Sequence, residues 1–362
     1  MSDAKLGLED VVVAETELSR VDGQAGRLVL RGYALRELAG VHSFEEVTGL
    51  LWEGSLGRSV DLGAARAAAH ARSTTWGGAL ELPDGMDALR AALAQGVDPS
   101  LPEGPAILGT LAVAAAGWWR RRQGLELLEP DPSLGHAADY LRLLRGVKPT
   151  AAEAAALDTY LVTVIDHGLN ASTFAARLVA STASDLVSSL VAAIGALKGP
   201  LHGGAPGPVL DMFDAIGSPE RAAAWVAEEL GAGRRIMGMG HRVYRTRDPR
   251  AAVLTEAARR LGDPRGRIEM AEALEEAAAR LLAERKPDRP LRANVELFTA
   301  VILEALDLDR ALFSPTFAVA RAAGWVGHVG EQRARGRLLR PRARYVGPAP
   351  RELEGAAKGG AS

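Results

Sequence analysis

The chain lacks cysteine altogether: none of its 362 residues is a cysteine. This absence excludes disulfide bonds, thiolate nucleophiles and metal sites built on cysteine. A charge excess is also missing, because 43 Lys and Arg stand against 45 Asp and Glu, for a net charge of −2. Such a chain has no overall field to attract nucleic acid or an anionic membrane, so any anion site must be local. We therefore expect no nucleic-acid partner.

Long hydrophobic runs are absent as well. The longest uncharged stretch, residues 104–119, is shorter than the roughly 20 apolar residues that a membrane helix needs. The first residues contain no apolar segment of the kind that a secretory signal requires. We expect no membrane partner and a cytoplasmic location. With 48% hydrophobic residues and a length above the usual roughly 100–200 per domain, the chain should form two globular domains.

Patterns typical of β-strands are rare. Residues 11–13 and 28–30 are apolar, with Asp22-Gly23 and Gly26 between them, which predicts one small hairpin near the N-terminus. From Glu45 onward the apolar residues recur at helical spacing, and proline and glycine divide the first half into about six helices. A single long helix is predicted over residues 160–197. The expected fold class is all-α.

Three polar clusters interrupt this apolar helical sequence. They are His202-Gly203-Gly204, the segment from Gly240 through His241 to Tyr244, and Asn294-Val295-Glu296. Two imidazoles and one carboxylate are groups that move protons near neutral pH. The glycines beside His202 would let a ligand approach the backbone. The clusters together predict an enzyme that uses acid and base catalysis.

Each cluster also has a plain structural interpretation. Glu296 near a helix start could merely complement the helix dipole, and His202 could be incidental to a turn. His167, if it shared a helix face with Phe174, could be a bonded core histidine. Arg250 follows Asp248-Pro249, a pattern for a helix N-terminus, where a guanidinium could clamp a carboxylate. The residues alone leave these alternatives open.

Taken together and in order, the motifs resemble the citrate synthase family over nearly the whole chain. They are Gly7-Leu8-Glu9, Val21-Asp22-Gly23, Arg31-Gly32-Tyr33, Asp166-His167, Asn170-Ala171-Ser172-Thr173-Phe174, Pro200-Leu201-His202-Gly203-Gly204-Ala205, Gly240-His241-Arg242-Val243-Tyr244, Asp248-Pro249-Arg250, Phe317-Ala318-Val319-Ala320-Arg321 and Arg340-Pro341. The resemblance implies a nearly all-α homodimer of the simpler dimeric type. It further implies a large domain of residues 1–202 and 307–362 and a small mobile domain of residues 203–306.

The implied reaction condenses acetyl-CoA with oxaloacetate and then hydrolyses citryl-CoA. By resemblance, Glu296 removes the methyl proton, His202 hydrogen-bonds the thioester oxygen, and His241 protonates the oxaloacetate carbonyl. No metal is needed, and no cofactor is bound permanently, because CoA is a co-substrate. The metal-free expectation competes with the interpretation of His202, His241 and Glu296 as two histidines and a carboxylate around a metal.

The resemblance also implies the binding residues. Oxaloacetate would be held by His167, Arg250, Arg321 and Arg340, the last supplied by the other subunit of the dimer. CoA would be bound by Arg245 through a phosphate and along its adenine by a loop that consists of Ile236, Met237, Gly238, Met239 and Gly240.

Two positions depart from the common family pattern, which has Asp where this chain has Glu296 and Asn where it has Pro206. Glutamate keeps the base chemistry but is longer by one methylene, and catalytic geometry is sensitive to shifts of about 1 Å. A 2-methylcitrate synthase acting on propionyl-CoA and a non-catalytic relative that binds CoA esters therefore remain as alternatives.

Overall fold

The structure is a computed structural model that describes residues 7–8, 11–202, 206–240, 244, 246–263, 265–285 and 292–351. It is mainly helical, which confirms the all-α prediction. The helices are α1 (Leu35–Leu38), α2 (Phe44–Glu53), α3 (Leu62–Arg72), α4 (Gly85–Ala94), α5 (Glu103–Arg122), α6 (His136–Arg145), α7 (Ala151–Val164), α8 (Ala171–Ala180), α9 (Leu186–Leu197), α10 (Pro206–Ile216), α11 (Ala222–Gly231), α12 (Pro249–Leu261), α13 (Arg267–Arg285), α14 (Val295–Ala305) and α15 (Phe313–Arg335).

A small antiparallel sheet precedes the helices. Its strands are β1 (Ser19–Asp22), β2 (Arg27–Leu30) and β3 (Tyr33–Ala34), and they lie in the order β1-β2-β3. The predicted turn is present, since the Asp22 carboxylate accepts a hydrogen bond from the Ala25 amide at 2.9 Å. The predicted first strand at residues 11–13 is wrong. A short turn pairs β2 with the residues directly before it, so Ser19 lies opposite Leu30 and residues 11–13 stay outside the sheet.

The core is built around α5, which is buried along most of its length. It packs against α3, α4, α6 and α15. A side chain at Gly109 would lie 2.5 Å from the Ala65 carbonyl, so this glycine lets α3 and α5 approach closely. The uncharged run at residues 104–119 is thus a buried core helix. Within the described ranges, no helix is long and apolar enough to cross a membrane.

The predicted single helix over residues 160–197 is wrong, because the chain there forms α7, α8 and α9. Gly168 has a φ of +60° and Ala183 a φ of +64°, values that a continuous helix does not allow. Asn170 caps α8 and Asp185 caps α9 through side-chain oxygens that accept backbone amide hydrogen bonds. His167 therefore lies on the loop between α7 and α8, and it shares no helix face with Phe174.

The helices that carry Arg250 and Glu296 also begin at capped N-termini. Asp248 caps α12, with Pro249 at its first position, and Asn294 caps α14. Such a cap stabilises a helix start by about 1 kcal/mol and fixes the direction of its first turn. In space α12 packs against both α7 and α14. The division into domains at residues 202 and 306 stays a prediction.

Candidate active site

The α7–α8 loop presents His167. Asp166, fully buried, accepts a hydrogen bond from the Gly168 amide at 3.2 Å, and this bond closes the loop around His167. The His167 Nε2 atom lies 3.1 Å from the Tyr244 hydroxyl, and the two rings meet edge to face. Tyr244 belongs to the second polar cluster, so the structure joins this cluster to the loop.

His202 follows α9 and points at the start of α8. Its Nε2 atom lies 2.8 Å from the Ser172 hydroxyl and accepts a hydrogen bond from the Ser172 amide at 3.3 Å. Because an amide can only donate, Nε2 carries no proton, and the neutral ring carries its proton on Nδ1. Burial, helped by the charge of Arg321, lowers the pKa of His202 to about 4. At neutral pH the ring is therefore an uncharged hydrogen-bond donor.

Arg250 lies in the first turn of α12 and is only 3% exposed. The Asp248 carboxylate accepts hydrogen bonds from the Arg250 amide at 3.0 Å, from Nε at 3.0 Å and from Nη2 at 2.7 Å. Burial alone would lower the pKa of Arg250, but the charge and hydrogen bonds of Asp248, together with Tyr244 and Glu296, outweigh it and the pKa is raised. Asp248 thus holds one edge of a permanently charged guanidinium in a fixed orientation.

Glu296 is the second residue of α14, as its sequence position predicts. Its amide donates to the Asn294 side-chain oxygen at 2.9 Å, and its Oε2 atom accepts from Asn294 Nδ2 at 3.3 Å. Burial raises the pKa of Glu296 to about 7, although Asn294 and the Arg250 charge oppose the shift. A partly buried carboxyl with its pKa raised to about 7 suits a general base.

The segment of residues 236–240 runs alongside the start of α14. Met239 forms an antiparallel bridge with Ala293, and the Asn294 amide donates to the Gly238 carbonyl at 2.9 Å. A side chain at Gly238, where φ is +73°, would lie 3.0 Å from the Leu297 Cβ atom. The backbone here can approach α14 closely only because the residue is glycine. The predicted CoA loop therefore lies beside Glu296.

Arg321 on α15 completes the described part of the site. It is 2% exposed, and its Nε donates to the Val164 carbonyl at 2.6 Å at the end of α7. Burial lowers the pKa of Arg321 to about 10, with Asp166 opposing the shift, so the group stays cationic at neutral pH. Its charge acts on both His202 and Arg250, which couples these two groups electrostatically.

The structure thus brings together five of the predicted residues, His167, His202, Arg250, Glu296 and Arg321, with the segment of residues 236–240. His241 and Arg245 lie outside the described residues. Arg340 is exposed in the extended segment after α15. In the part of the chain that the structure describes, no group of three or more His, Asp or Glu side chains could hold a metal ion.

Three residues that orient the site were not assigned to it from the sequence: Ser172, Asp248 and Asn294. Two of them were visible as helix caps, since Asp248 precedes Pro249 and Asn294 precedes an apolar helix. The further contacts that these capping side chains make could not be predicted from the sequence. A hydrogen bond from Asn294 Nδ2 to the Gly240 carbonyl at 3.1 Å depends on the fold.

Comparison with known proteins agrees with this arrangement. Residues 7–342 match the family model described as "Citrate synthase, C-terminal domain". The chain is 39% identical to a citrate synthase of Haloferax volcanii, with 95% of this chain and 96% of the relative covered. It is 35% identical to a 2-methylcitrate synthase of Mycobacterium tuberculosis, with 98% and 93% covered.

A solved structure resembles the fold at 28% sequence identity. It is the citrate synthase of Thermoplasma acidophilum in a ternary complex with carboxymethyl coenzyme A and oxaloacetate. The TM-score is 0.87, and 98% of each chain is covered. The similarity therefore extends over both the helical scaffold and the segments that carry the site.

Proposed function

The chain belongs to the citrate synthase family, as an enzyme of the citrate (Si)-synthase type, and we propose that it condenses acetyl-CoA with oxaloacetate to give citrate and CoA. The observation that carries this proposal is Glu296, a partly buried carboxyl whose pKa burial raises to about 7. It lies beside the glycine-containing segment of residues 236–240, and the charge of Arg250 acts on it. The reaction requires a base for the methyl proton and a cationic site for the oxaloacetate carboxylates.

In the first step Glu296 removes a proton from the thioester methyl group. The negative charge that develops on the thioester oxygen is stabilised by a hydrogen bond from His202 Nδ1, the atom that carries the proton when Nε2 accepts from Ser172. The enol carbon then attacks the ketone carbon of oxaloacetate. His241, assigned by resemblance, gives a proton to the new alkoxide, and water releases citrate and CoA from citryl-CoA.

Oxaloacetate carries two carboxylates, and the site supplies matching cations. Arg250 and Arg321 are buried and charged. His167 contacts Tyr244, which in turn interacts electrostatically with Arg250. Charge-assisted hydrogen bonds to carboxylates are about twice as strong as neutral ones. The proposal assigns the adenine of CoA to residues 236–240 and a CoA phosphate to Arg245.

The pH dependence follows from the base. We expect kcat/KM for acetyl-CoA to rise as the pH increases through about 7 and then to level off, because Glu296 must be ionised to accept a proton. His202, with its pKa lowered to about 4 by burial, should not limit the rate in this range. Initial rates between about pH 5 and pH 9 would test this. A profile that is flat across neutrality would contradict the role of Glu296.

We propose a homodimer in which Arg340 of the partner subunit completes each site. Mixing Arg340→Ala chains with His241→Ala chains should then restore activity, because one of the two sites in a mixed dimer keeps both residues. The measurement is the rate of CoA release after subunit exchange has been verified, with each variant alone as the control. Mixed dimers as inactive as the two parents would refute the shared site.

A second candidate is 2-methylcitrate synthesis from propionyl-CoA. It is favoured by the 35% identity to a protein named 2-methylcitrate synthase and by Glu296, which stands where the common pattern has Asp. Thiol release from acetyl-CoA and from propionyl-CoA, each with and without oxaloacetate, discriminates the two. The first proposal predicts a higher kcat/KM for acetyl-CoA. Binding of CoA esters without any oxaloacetate-dependent release would instead indicate the non-catalytic relative.

A further inference from the structure

A buried chain of hydrogen bonds begins at Asp166, the residue before His167. The proposed reaction does not use this chain of hydrogen bonds. Its centre is His328 on α15, which is fully buried. The His328 Nε2 atom lies 3.1 Å from Asp166 Oδ1, and its Nδ1 atom lies 3.0 Å from Nη1 of Arg177 on α8. Because a guanidinium only donates, Nδ1 accepts, and Nε2 carries the proton that it donates to Asp166. The direction of both bonds is therefore fixed.

One end of this chain holds the loop that presents His167. The other carboxylate oxygen of Asp166 accepts from the Gly168 amide and from the Ser19 hydroxyl, and the same amide reaches the Ser19 oxygen at 2.9 Å. Helix α15 packs tightly on the loop, since a side chain at Gly324 would lie 2.4 Å from the Ile165 carbonyl. The orientation of His167 thus depends on groups from β1 and α15.

The other end reaches the segment that carries Arg340. Arg177 Nε donates to Oε1 of Gln332 at 3.1 Å, and Gln332 Nε2 donates to the Arg337 carbonyl at 3.0 Å, three residues before Arg340. Glu331 accepts from Arg177 Nη1 at 2.9 Å, so the buried positive charge is compensated. Buried polar networks of this kind rigidify the groups at their ends.

We propose that Asp166, His328, Arg177 and Gln332, here called the buried relay, are positioning residues for oxaloacetate. The relay orients His167 in the site of its own subunit. At its other end it fixes the backbone at Arg337, where the segment that carries Arg340 into the partner's site begins. It therefore connects the two sites of the dimer through residues that do not touch substrate. This inference rests on the proposed function, because His167 and Arg340 are assigned to oxaloacetate there.

Two variants test the two ends separately. Ser19→Ala removes a hydroxyl at the His167 end, whereas Gln332→Glu keeps the acceptor for Arg177 but loses the donor to the Arg337 carbonyl. Each should raise the Kd for oxaloacetate by about five- to tenfold, with the KM for the CoA thioester unchanged. His328→Leu should have a larger effect than either. If that variant fails to fold, the two end variants still decide.

Double variants show whether each end acts through its assigned residue. In an Arg340→Ala background, Gln332→Glu should cause no further rise in the Kd for oxaloacetate. In a His167→Ala background, Ser19→Ala should likewise cause no further rise. The reason is that the effects of interacting residues are non-additive. Ser19→Ala combined with Arg340→Ala should multiply the two separate effects.

His136→Gln is the matched control. His136 is a fully buried histidine that also bonds an arginine, at 3.1 Å, but it is the first residue of α6 and its partner Arg66 lies on α3. The His136→Gln variant should have a lower midpoint of thermal unfolding and an unchanged Kd for oxaloacetate.

The decisive experiment is calorimetric titration of dimeric wild type and variants with oxaloacetate. Unchanged affinities in both end variants, or an equal loss in His136→Gln, would overturn the relay. Wild type that binds oxaloacetate but releases no CoA would overturn only the proposed function.

Discussion

Replacing Glu296 with glutamine should lower kcat by about 10²–10⁴-fold, the usual contribution of a general base, while the affinity for oxaloacetate stays within about threefold. The amide has nearly the shape of the carboxyl group but cannot accept the methyl proton. The substitution also removes a partly buried carboxyl whose pKa is raised by burial, so the variant should fold at least as stably as the parent above neutral pH. Steady-state kinetics and oxaloacetate titration measure the two effects.

Two controls accompany this variant. Glu296→Asp should retain activity, because the shorter carboxylate keeps the chemistry. Asp158→Asn removes another carboxyl whose pKa is raised by burial to about 7. Asp158 lies on α7 and accepts a hydrogen bond from the Phe44 amide at 3.0 Å. It should leave kcat nearly unchanged. A kcat for Glu296→Gln within about threefold of the parent would remove Glu296 from the mechanism.

Replacing Arg250 with alanine should lower kcat/KM for oxaloacetate by roughly 10²–10³-fold. Truncating one partner of a buried, hydrogen-bonded charge pair between protein and ligand costs about 2–5 kcal/mol, in part because the oxaloacetate carboxylate is left unpaired. Arg250 belongs to the predicted small domain and Arg321 to the large one, so a dicarboxylate bound to both favours the closed arrangement. We therefore expect oxaloacetate to tighten the binding of an inert acetyl-CoA analogue, and Arg250→Ala to abolish most of this coupling.

The matched control is Arg259→Ala on the same helix. Arg259 is exposed and pairs with Glu272 at the surface, so its loss should change neither affinity nor coupling. Calorimetric titration of the analogue, with and without oxaloacetate, gives the coupling directly. Equal affinities of wild type in the two titrations would refute the bridging role of oxaloacetate.

Local sequence was sufficient to predict the starts of α12 and α14. Asp248-Pro249 and Asn294 are helix-start signals that act within one turn, so their neighbours Arg250 and Glu296 could be assigned to first turns. The all-α class was likewise predictable, because it depends on the spacing of apolar residues along the chain.

Contacts between distant parts of the chain could not be predicted. The tautomer of His202 is fixed by Ser172, thirty residues away, and Asp166 meets His328 162 residues further on. The break at Gly168 was missed although residues 166–170 are mostly polar, because apolar residues recur at helical spacing on both sides of the loop. In each case the deciding interaction is tertiary packing, which overrides local propensity.

The most direct test of the central claim is the stoichiometry of the reaction of purified wild-type chain with acetyl-CoA. With oxaloacetate present, we expect one CoA and one citrate for each oxaloacetate consumed, and Glu296→Gln measured in parallel should form neither at a comparable rate. Without oxaloacetate, no CoA should be released. CoA release that is independent of oxaloacetate, or consumption of oxaloacetate without citrate, would contradict the account.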